Sequence, residues 1–531
     1  MCIEIGAAIL LLSIPAMGQS RDIVVPNYYG SAPNGPQGVT IVNASTGATV
    51  HTFSFGAGAG PWLSGVTPDD KTAIIVDYDT NSVQTINLST YAVSSPVKLP
   101  GTNPEELAIA PDGKEAYVTQ DLGLASFDIS TGTAGALIPA GLNDDGVAIT
   151  PNGKTAYLSG TGNGGSHPGS VVPVNLVTRT PGTPIPVPRA GLPAVTPDGS
   201  TVWVQTGDNT LVPISTSTNT AGTPITLPTM SDPYGFAISP DGTTGYATDA
   251  GNTGALDQVN LTTRTLMRTA TDANQPEWPV VMPDGKTVFT SNWNSGTLVP
   301  FSTSTLTVGT PIGAGGYPGQ LGVVPNQAPT AAFRSTLSGA TLHMNGSKSK
   351  DSDGTVARYE WNFGDGRKAT TSRPKTSHRY AKAGRYRVTL TVVDNEGCST
   401  KLVYTGQETS CTGAAAARVS HTVKLIPAVK IARSAKVRNG TARIGLACSG
   451  PGRCTGTLTL HYAGRSIGKA HFSIKAGGHA TVSVRLTSAG RNTLASHGGR
   501  LTAVAAAAVR AGRTTKRAIN LVATGSPSLT G

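Results

Sequence analysis

The chain has 531 residues, with 65 Gly, 37 Pro, only 13% charged residues and a formal net charge of +11. Such a composition suits a turn-dense, all-β protein of about three domains and excludes coiled-coil or long-helix architectures. The charge is unevenly spread: residues 21–326 carry 22 acids against 10 bases, residues 327–428 carry 15 bases against 7 acids, and residues 429–531 carry 16 bases and no acid.

Residues 1–18 open with an apolar run and end on Ala16-Met17-Gly18. The run has the length of a secretory-signal core and is too short to span a bilayer, so export is expected. No later run is apolar over a membrane's thickness, and no transmembrane anchor is expected. Cys2 would leave with the leader. The other four cysteines form two local pairs, Cys398 with Cys411 and Cys448 with Cys454, which in an exported chain read as disulfides. A zinc site is the weaker reading because no His stands near either pair at finger spacing.

Residues 19–326 repeat one beat: Pro68-Asp69-Asp70, Pro111-Asp112-Gly113, Pro151-Asn152-Gly153, Pro197-Asp198-Gly199, Pro240-Asp241-Gly242 and Pro283-Asp284-Gly285, with a degenerate Pro325-Asn326-Gln327. Successive prolines stand 43, 40, 46, 43, 43 and 42 residues apart. Pro presets φ, Asp or Asn bonds its own backbone and Gly takes positive φ, so each beat closes a tight hairpin. Strand-like runs flank every beat, such as Gly146–Thr150 before and Ala156–Ser159 after, and two further runs complete a four-stranded unit. A period of this length made of short strands predicts a β-propeller. Asp22–Phe55 reads as three strands lacking an inner one, and Gln320–Val324 as an inner strand with nothing after it. Together they complete a seventh blade and seal the ring.

Ala116-Tyr-Val-Thr-Gln120 and its counterparts resemble the YVTN-type propeller repeat. That resemblance implies an exported bacterial or archaeal surface protein.

If the Pro-Asp-Gly hairpins share one face, the remaining loops form the opposite rim. There the sequence places Trp62, Tyr78, Asp79, Glu105, Asp145, Tyr234, Trp278, Trp293 and Tyr317 as candidate ligand contacts, with Asp77 and Asp249 among the further acids of the same loops. Aromatic platforms beside carboxylates suit an extracellular glycan or a surface protein better than phosphates. The bland alternative is that these rings simply pack between blades. An enzyme is the competing function class: a lactonase-like or quinoprotein-like propeller with a carboxylate-metal site in its central channel. Only His51 and His167 occur in the propeller, and no nucleophile elbow, P-loop or HExxH helix is present.

Residues 327–428 change style. Asp351-Ser-Asp-Gly354, Tyr359-Glu-Trp-Asn-Phe-Gly-Asp-Gly366, His378-Arg-Tyr380 and Tyr386–Asp394 occur in order and resemble the PKD domain, an Ig-like sandwich. Trp361 and Phe363 alternate inward, while Tyr386, Val388, Leu390 and Val392 share one strand face. The resemblance implies a spacer and a candidate Ca²⁺ loop at Asn345, Ser347, Asp351 and Asp353, since clustered oxygens suit that ion. Plain Asx-rich turns are the alternative.

Residues 429–531 alternate apolar and polar residues in runs such as Ala480–Leu486, giving a second small sandwich tied by Cys448–Cys454. Ala503–Ala508 is read as strand despite its helical propensity. An acid-free module on an exported chain points to an anionic cell-envelope polymer. Scarce aromatics argue against nucleic acid. The expectation is therefore an all-β, secreted or cell-surface binding protein: a leader (1–18), a seven-bladed propeller (19–326), a PKD-like sandwich (327–428) and a basic sandwich (429–531).

Overall fold

In the computed structural model the described residues are 22–28, 37–56, 58–161, 169–228, 230–251, 254–271 and 274–524, with the side chains of 143–145 and 161 outside that set. The expected leader, His167 and the Asp145 side chain therefore lie outside the described residues. The chain is nearly all strand. Ser488–Ser496 is the one α-helix among the described residues. The residues divide into two compact units. One comprises 1–329, 351–356 and 393–417; the other comprises 330–350, 357–392 and 418–531. This division cuts through the span 327–428 rather than following its ends.

The first unit is propeller-like in its topology. Its repeats make antiparallel sheets in sequence order, each running from an inner strand to an outer one: Pro61–Val66 to Val97–Lys98, Ala190–Val195 to Thr220–Ala221, Pro233–Ile238 to Thr265–Thr271, and Pro276–Val281 to Ile312–Gly313. An eight-stranded sheet between Leu107 and Pro186 spans two sequence periods. Strands such as Thr72–Asp77 and Thr201–Thr206 are buried on both faces, because each sheet is sandwiched between neighbours. Leu63, Ile74 and Val76 of one repeat thus pack against Leu107, Ile109, Ala116 and Val118 of the next. Each such Leu, Ile or Val side chain contributes about 1.5–3 kcal/mol of burial.

The hairpin beat is confirmed at atomic level. Gly113, Gly153, Gly199, Gly242 and Gly285 have φ of 67–74°, and Asp70 takes the same position at 58°. A hydroxyl before the proline locks four of the turns: Thr67, Thr150, Thr196 and Ser239 donate to Oδ1 of Asp69, Asn152, Asp198 and Asp241 at 2.6–2.8 Å.

The two orphan fragments do meet. Gly322–Val323 pairs with Asp22–Asn27 and completes the sheet begun by the first three strands. Gln320 adds a second tie. Its amide donates to the Leu107 carbonyl at 2.8 Å and its Oε1 accepts the Leu107 N–H at 3.0 Å, two periods away. Its own carbonyl accepts the Ser64 hydroxyl at 2.9 Å. Pairing the terminal strands removes free edges.

The second unit contains the PKD-like strands and the basic module. Trp361, Phe363, Val388, Leu390 and Val392 are buried as expected, Tyr386 is half-buried, and Tyr380 is buried as well. His378 stacks on Phe363 with ring centroids 4.0 Å apart, and its Nε2 lies 2.8 Å from Asp365 Oδ2, a structural role. In the basic module an eight-stranded sheet buries Ile444, Leu458, Leu460, Val484, Ile519 and Leu521. Arg500–Val509 is a strand, with Ala503, Ala505 and Ala507 pointing into the core. The short helix that precedes it was not expected from the sequence. Thr487 caps it, its hydroxyl accepting the Gly490 N–H at 3.0 Å. Both disulfides are present, Cys398–Cys411 and Cys448–Cys454.

Candidate functional site

Inner strands run toward the Pro-Asp-Gly hairpins, so their first residues lie at the opposite mouth of the channel. That placement gathers the rings expected on the rim. Tyr234 lies 5.4 Å from Trp278 between centroids, Trp278 6.3 Å from Trp62, Trp62 5.2 Å from Trp293, and Trp293 4.7 Å from Tyr317. Tyr28 bridges Trp62, Tyr78 and Trp293 at 5.8, 6.1 and 6.4 Å. Most pairs are edge-to-face, the favoured arrangement of ring quadrupoles, so the rings form one self-supporting cluster. Tyr317 is 38% exposed.

Carboxylates border this cluster. The Tyr28 hydroxyl donates to Asp79 Oδ1 at 2.8 Å. Burial, and then the charges of Glu105, Asp121 and Asp79, hold the Tyr78 phenol above its usual pKa. Asp121 is fixed by Thr102 and Asn103, which donate to its Oδ2 at 2.8 and 2.7 Å. A cleft of 290 Å³ adjoins the rings, lined among others by Glu105, Arg189, Asp232, Tyr234 and Trp278. Arg189 escaped the sequence reading, which weighed only acids and rings. It pairs with Asp208 at 3.3 Å, and its guanidinium lies close over Gly207.

Three expectations need correction. Trp278 is not an open platform. It is 5% exposed and lines both the cleft and the channel cavity, so it partitions the two. Asp77 and Asp249, also expected on the rim, are buried loop caps accepting the N–H groups of Gly60 and Asp232. In the expected Ca²⁺ loop, Asn345 Oδ1 accepts the Ser347 N–H at 3.0 Å, an Asx turn, and these two residues belong to a different compact unit from Asp351 and Asp353. What gathers near Asp351 and Asp353 instead is Asp394. Burial, and then repulsion from neighbouring carboxylates, raises Asp351 to about 6 and Asp353 to about 7. Three of their four carboxylate oxygens are buried without a hydrogen-bond partner. No group of three or more His, Cys, Asp or Glu among the described residues is placed to hold a metal ion.

The other end of the channel holds a feature the sequence did not disclose. The segment between Cys398 and Cys411 is a hairpin seated in the ring at the Pro-Asp-Gly face. Three successive carbonyls serve three successive repeats: Thr405 accepts from Val195 N–H at 3.2 Å, Gly406 from Ile149 at 2.8 Å and Gln407 from Ile109 at 3.2 Å. These N–H groups lie on inner edges that no strand covers, so the hairpin satisfies donors that burial would otherwise orphan. Gly406 has φ of 113°, and a Cβ there would stand 2.8 Å from the Val195 nitrogen. Tyr404 is fully buried in the core of the third and fourth repeats, its hydroxyl between the Ile109 and Gly406 carbonyls at 2.8 and 2.6 Å. Gln407 donates to the Pro193 carbonyl, and Glu408 Oε2 accepts the Val323 N–H at 3.2 Å. The cavity left inside the channel measures 40 Å³. That is room for about one or two waters, not for a substrate.

The PKD domain family model matches residues 326–407. Collagenase ColA of Clostridium perfringens is 43% identical over 75 residues, covering 14% of this chain and 7% of that protein. Pre-pro-metalloprotease PrtV of Vibrio cholerae is 45% identical over 74 residues, covering 14% and 8%. This chain thus spans a tenth or less of the curated relatives it matches. Among solved structures, a putative 6-phosphogluconolactonase from Bacteroides uniformis is similar with a TM-score of 0.48 at 15% identity, over 57% of this chain and 99% of that one.

Proposed function

We propose that this is a secreted or cell-surface glycan-binding protein whose seven-bladed, YVTN-type propeller takes its ligand at the mouth opposite the hairpin plug, with the PKD-like sandwich as spacer. The observation that carries the reading is the continuous ring cluster of Tyr28, Trp62, Trp293 and Tyr317 beside the Arg189–Asp232 cleft. Ring faces pack against the apolar faces of sugars, and carboxylates accept hydrogen bonds from hydroxyls. The acidic balance of residues 21–326 favours neutral or amino sugars over acidic ones. Two disulfides, and a PKD match shared with proteins named as collagenases and a pre-pro-metalloprotease, support the extracellular setting. No helix among the described residues is long and apolar enough to cross a membrane.

Glycan-array binding of the full chain, repeated with Trp293→Ala plus Tyr317→Ala, tests the reading. A loss of at least about tenfold is expected, as for ligand rings worth more than about 1.4 kcal/mol. Unchanged binding by the double variant would sink it. Binding to a surface protein but to no glycan would move the ligand class instead.

A further inference from the structure

Strand register in the basic module places cations side by side on one exposed sheet face. Lys436 of the strand Ser434–Arg438 is the direct cross-strand partner of Arg443. In the same row Arg443 faces Ser483 on one side, and beyond Lys436 come Val522 and then Arg500. The next row along holds Arg438, Thr441 and Arg485. Lys436, Arg438, Arg443, Arg485 and Arg500 are all exposed, each alternating with a buried apolar neighbour. Arg491 leans over the hairpin between the first two strands, its Cδ within 2.7 Å of where a Gly440 Cβ would be.

Neighbouring strands lie about 4.8 Å apart and alternate residues on one face about 6.8 Å. Five of these six cations therefore occupy a patch only a few residues wide. Like charges placed directly opposite destabilise a sheet. No acid occurs anywhere in residues 429–531 to offset them. Folding does not reward this clustering; an anion with closely repeated charges would.

We infer that this face docks a linear poly(glycerol phosphate) chain, an anionic polymer of the cell envelope. Arginine forks bind phosphate bidentately, and five of the six cations are arginines. A flat face without exposed aromatic rings suits a featureless polymer rather than stacked bases. These residues take no part in the propeller mouth, so the inference stands or falls without the glycan reading.

The test is binding of the full chain to purified poly(glycerol phosphate) at low and high NaCl, with duplex DNA and polygalacturonate as parallel probes. Lys436→Gln plus Arg443→Gln plus Arg485→Gln is expected to weaken polymer binding at least tenfold. Removing the same charge elsewhere, with Arg465→Gln plus Lys469→Gln plus Lys475→Gln, is expected to weaken it less than threefold. Affinity should fall steeply with salt. Equal losses in the two triple variants would overturn the patch, because net charge alone would then explain binding. Tighter binding to DNA or to polygalacturonate than to poly(glycerol phosphate) would overturn the assigned partner. So would salt-independent binding.

Discussion

Tyr404→Ala is expected to lower the unfolding free energy of the propeller unit by about 3–5 kcal/mol, the range for truncating a large buried ring. Tyr404 is wholly buried among Tyr117, Leu124, Val147, Ile149 and Leu158. Truncation would leave a cavity in the ring's core and release the hydroxyl from its two carbonyls. Tyr404→Phe keeps the ring and removes only the hydroxyl, so about 1 kcal/mol is expected. Opening the Cys398–Cys411 bridge acts on the same element differently. The bridge closes a separation of 13 residues, for which loop entropy gives about 3 kcal/mol. These losses should not add, because a hairpin already unseated by Tyr404→Ala has little left for the disulfide to hold. Urea denaturation followed by tryptophan fluorescence checks this, with Cys398→Ser plus Cys411→Ser alone and combined with Tyr404→Ala. A wild-type midpoint for Tyr404→Ala would mean the hairpin is not seated in the ring in solution.

The hairpin also marks where sequence reasoning stopped. The Pro-Asp-Gly beats were legible because their chemistry is local: the hydroxyl, carboxylate and glycine that build each turn lie within about five residues. Ring closure was legible too, since unpaired strand fragments at both ends of a periodic region have to go somewhere. The seating of residues 399–410 was not. Tyr404 meets Ile109 across 295 positions, and no periodicity links a disulfide-bracketed loop to a channel. Gln407 and Glu408, polar side chains of a loop, are both spent on backbone groups of the ring. The rim was half legible. Loop position predicted which rings gather, but not that Trp278 would sink beneath Trp62 and Tyr234, because depth along an inner strand depends on neighbours in other repeats. Counting acids likewise overstated the rim's charge, since Asp77 and Asp249 cap loops instead of facing solvent. In the basic module composition announced a polyanion, but only register showed that Lys436 and Arg443 are neighbours.

Glu408 should make the propeller unit less stable as pH rises, opposite to the usual effect of a paired carboxylate. Part of the residue lines the small channel cavity, but its carboxyl sits deep in the ring. That burial pushes its pKa up to about 8, offset only in part by the Val323 N–H. Below about pH 4.5 the carboxyl is protonated both folded and unfolded, and its full contribution is present. Between about 4.5 and 8 the unfolded chain releases this proton while the folded chain keeps it, so stability falls throughout that window. Above about pH 8 both states are ionised and the loss levels off. Each tenfold difference in proton affinity between the two states is worth about 1.4 kcal/mol, so the full fall amounts to several kcal/mol. Glu277, raised to about 8 by burial and then by Asp232, adds a slope of the same sign. Glu408→Gln keeps the shape of the side chain and an oxygen for the Val323 N–H but has nothing to ionise. Urea midpoints should therefore drop between about pH 5 and pH 8 in the wild type and drop much less in Glu408→Gln, so that the variant is the more stable protein at about pH 8. Parallel slopes for the two proteins would show that water reaches Glu408 and that the hairpin does not close the channel. The sign has a physical consequence for the hairpin: it is held most firmly in mildly acidic surroundings, and alkaline conditions work to drive a charged Glu408 out of the ring.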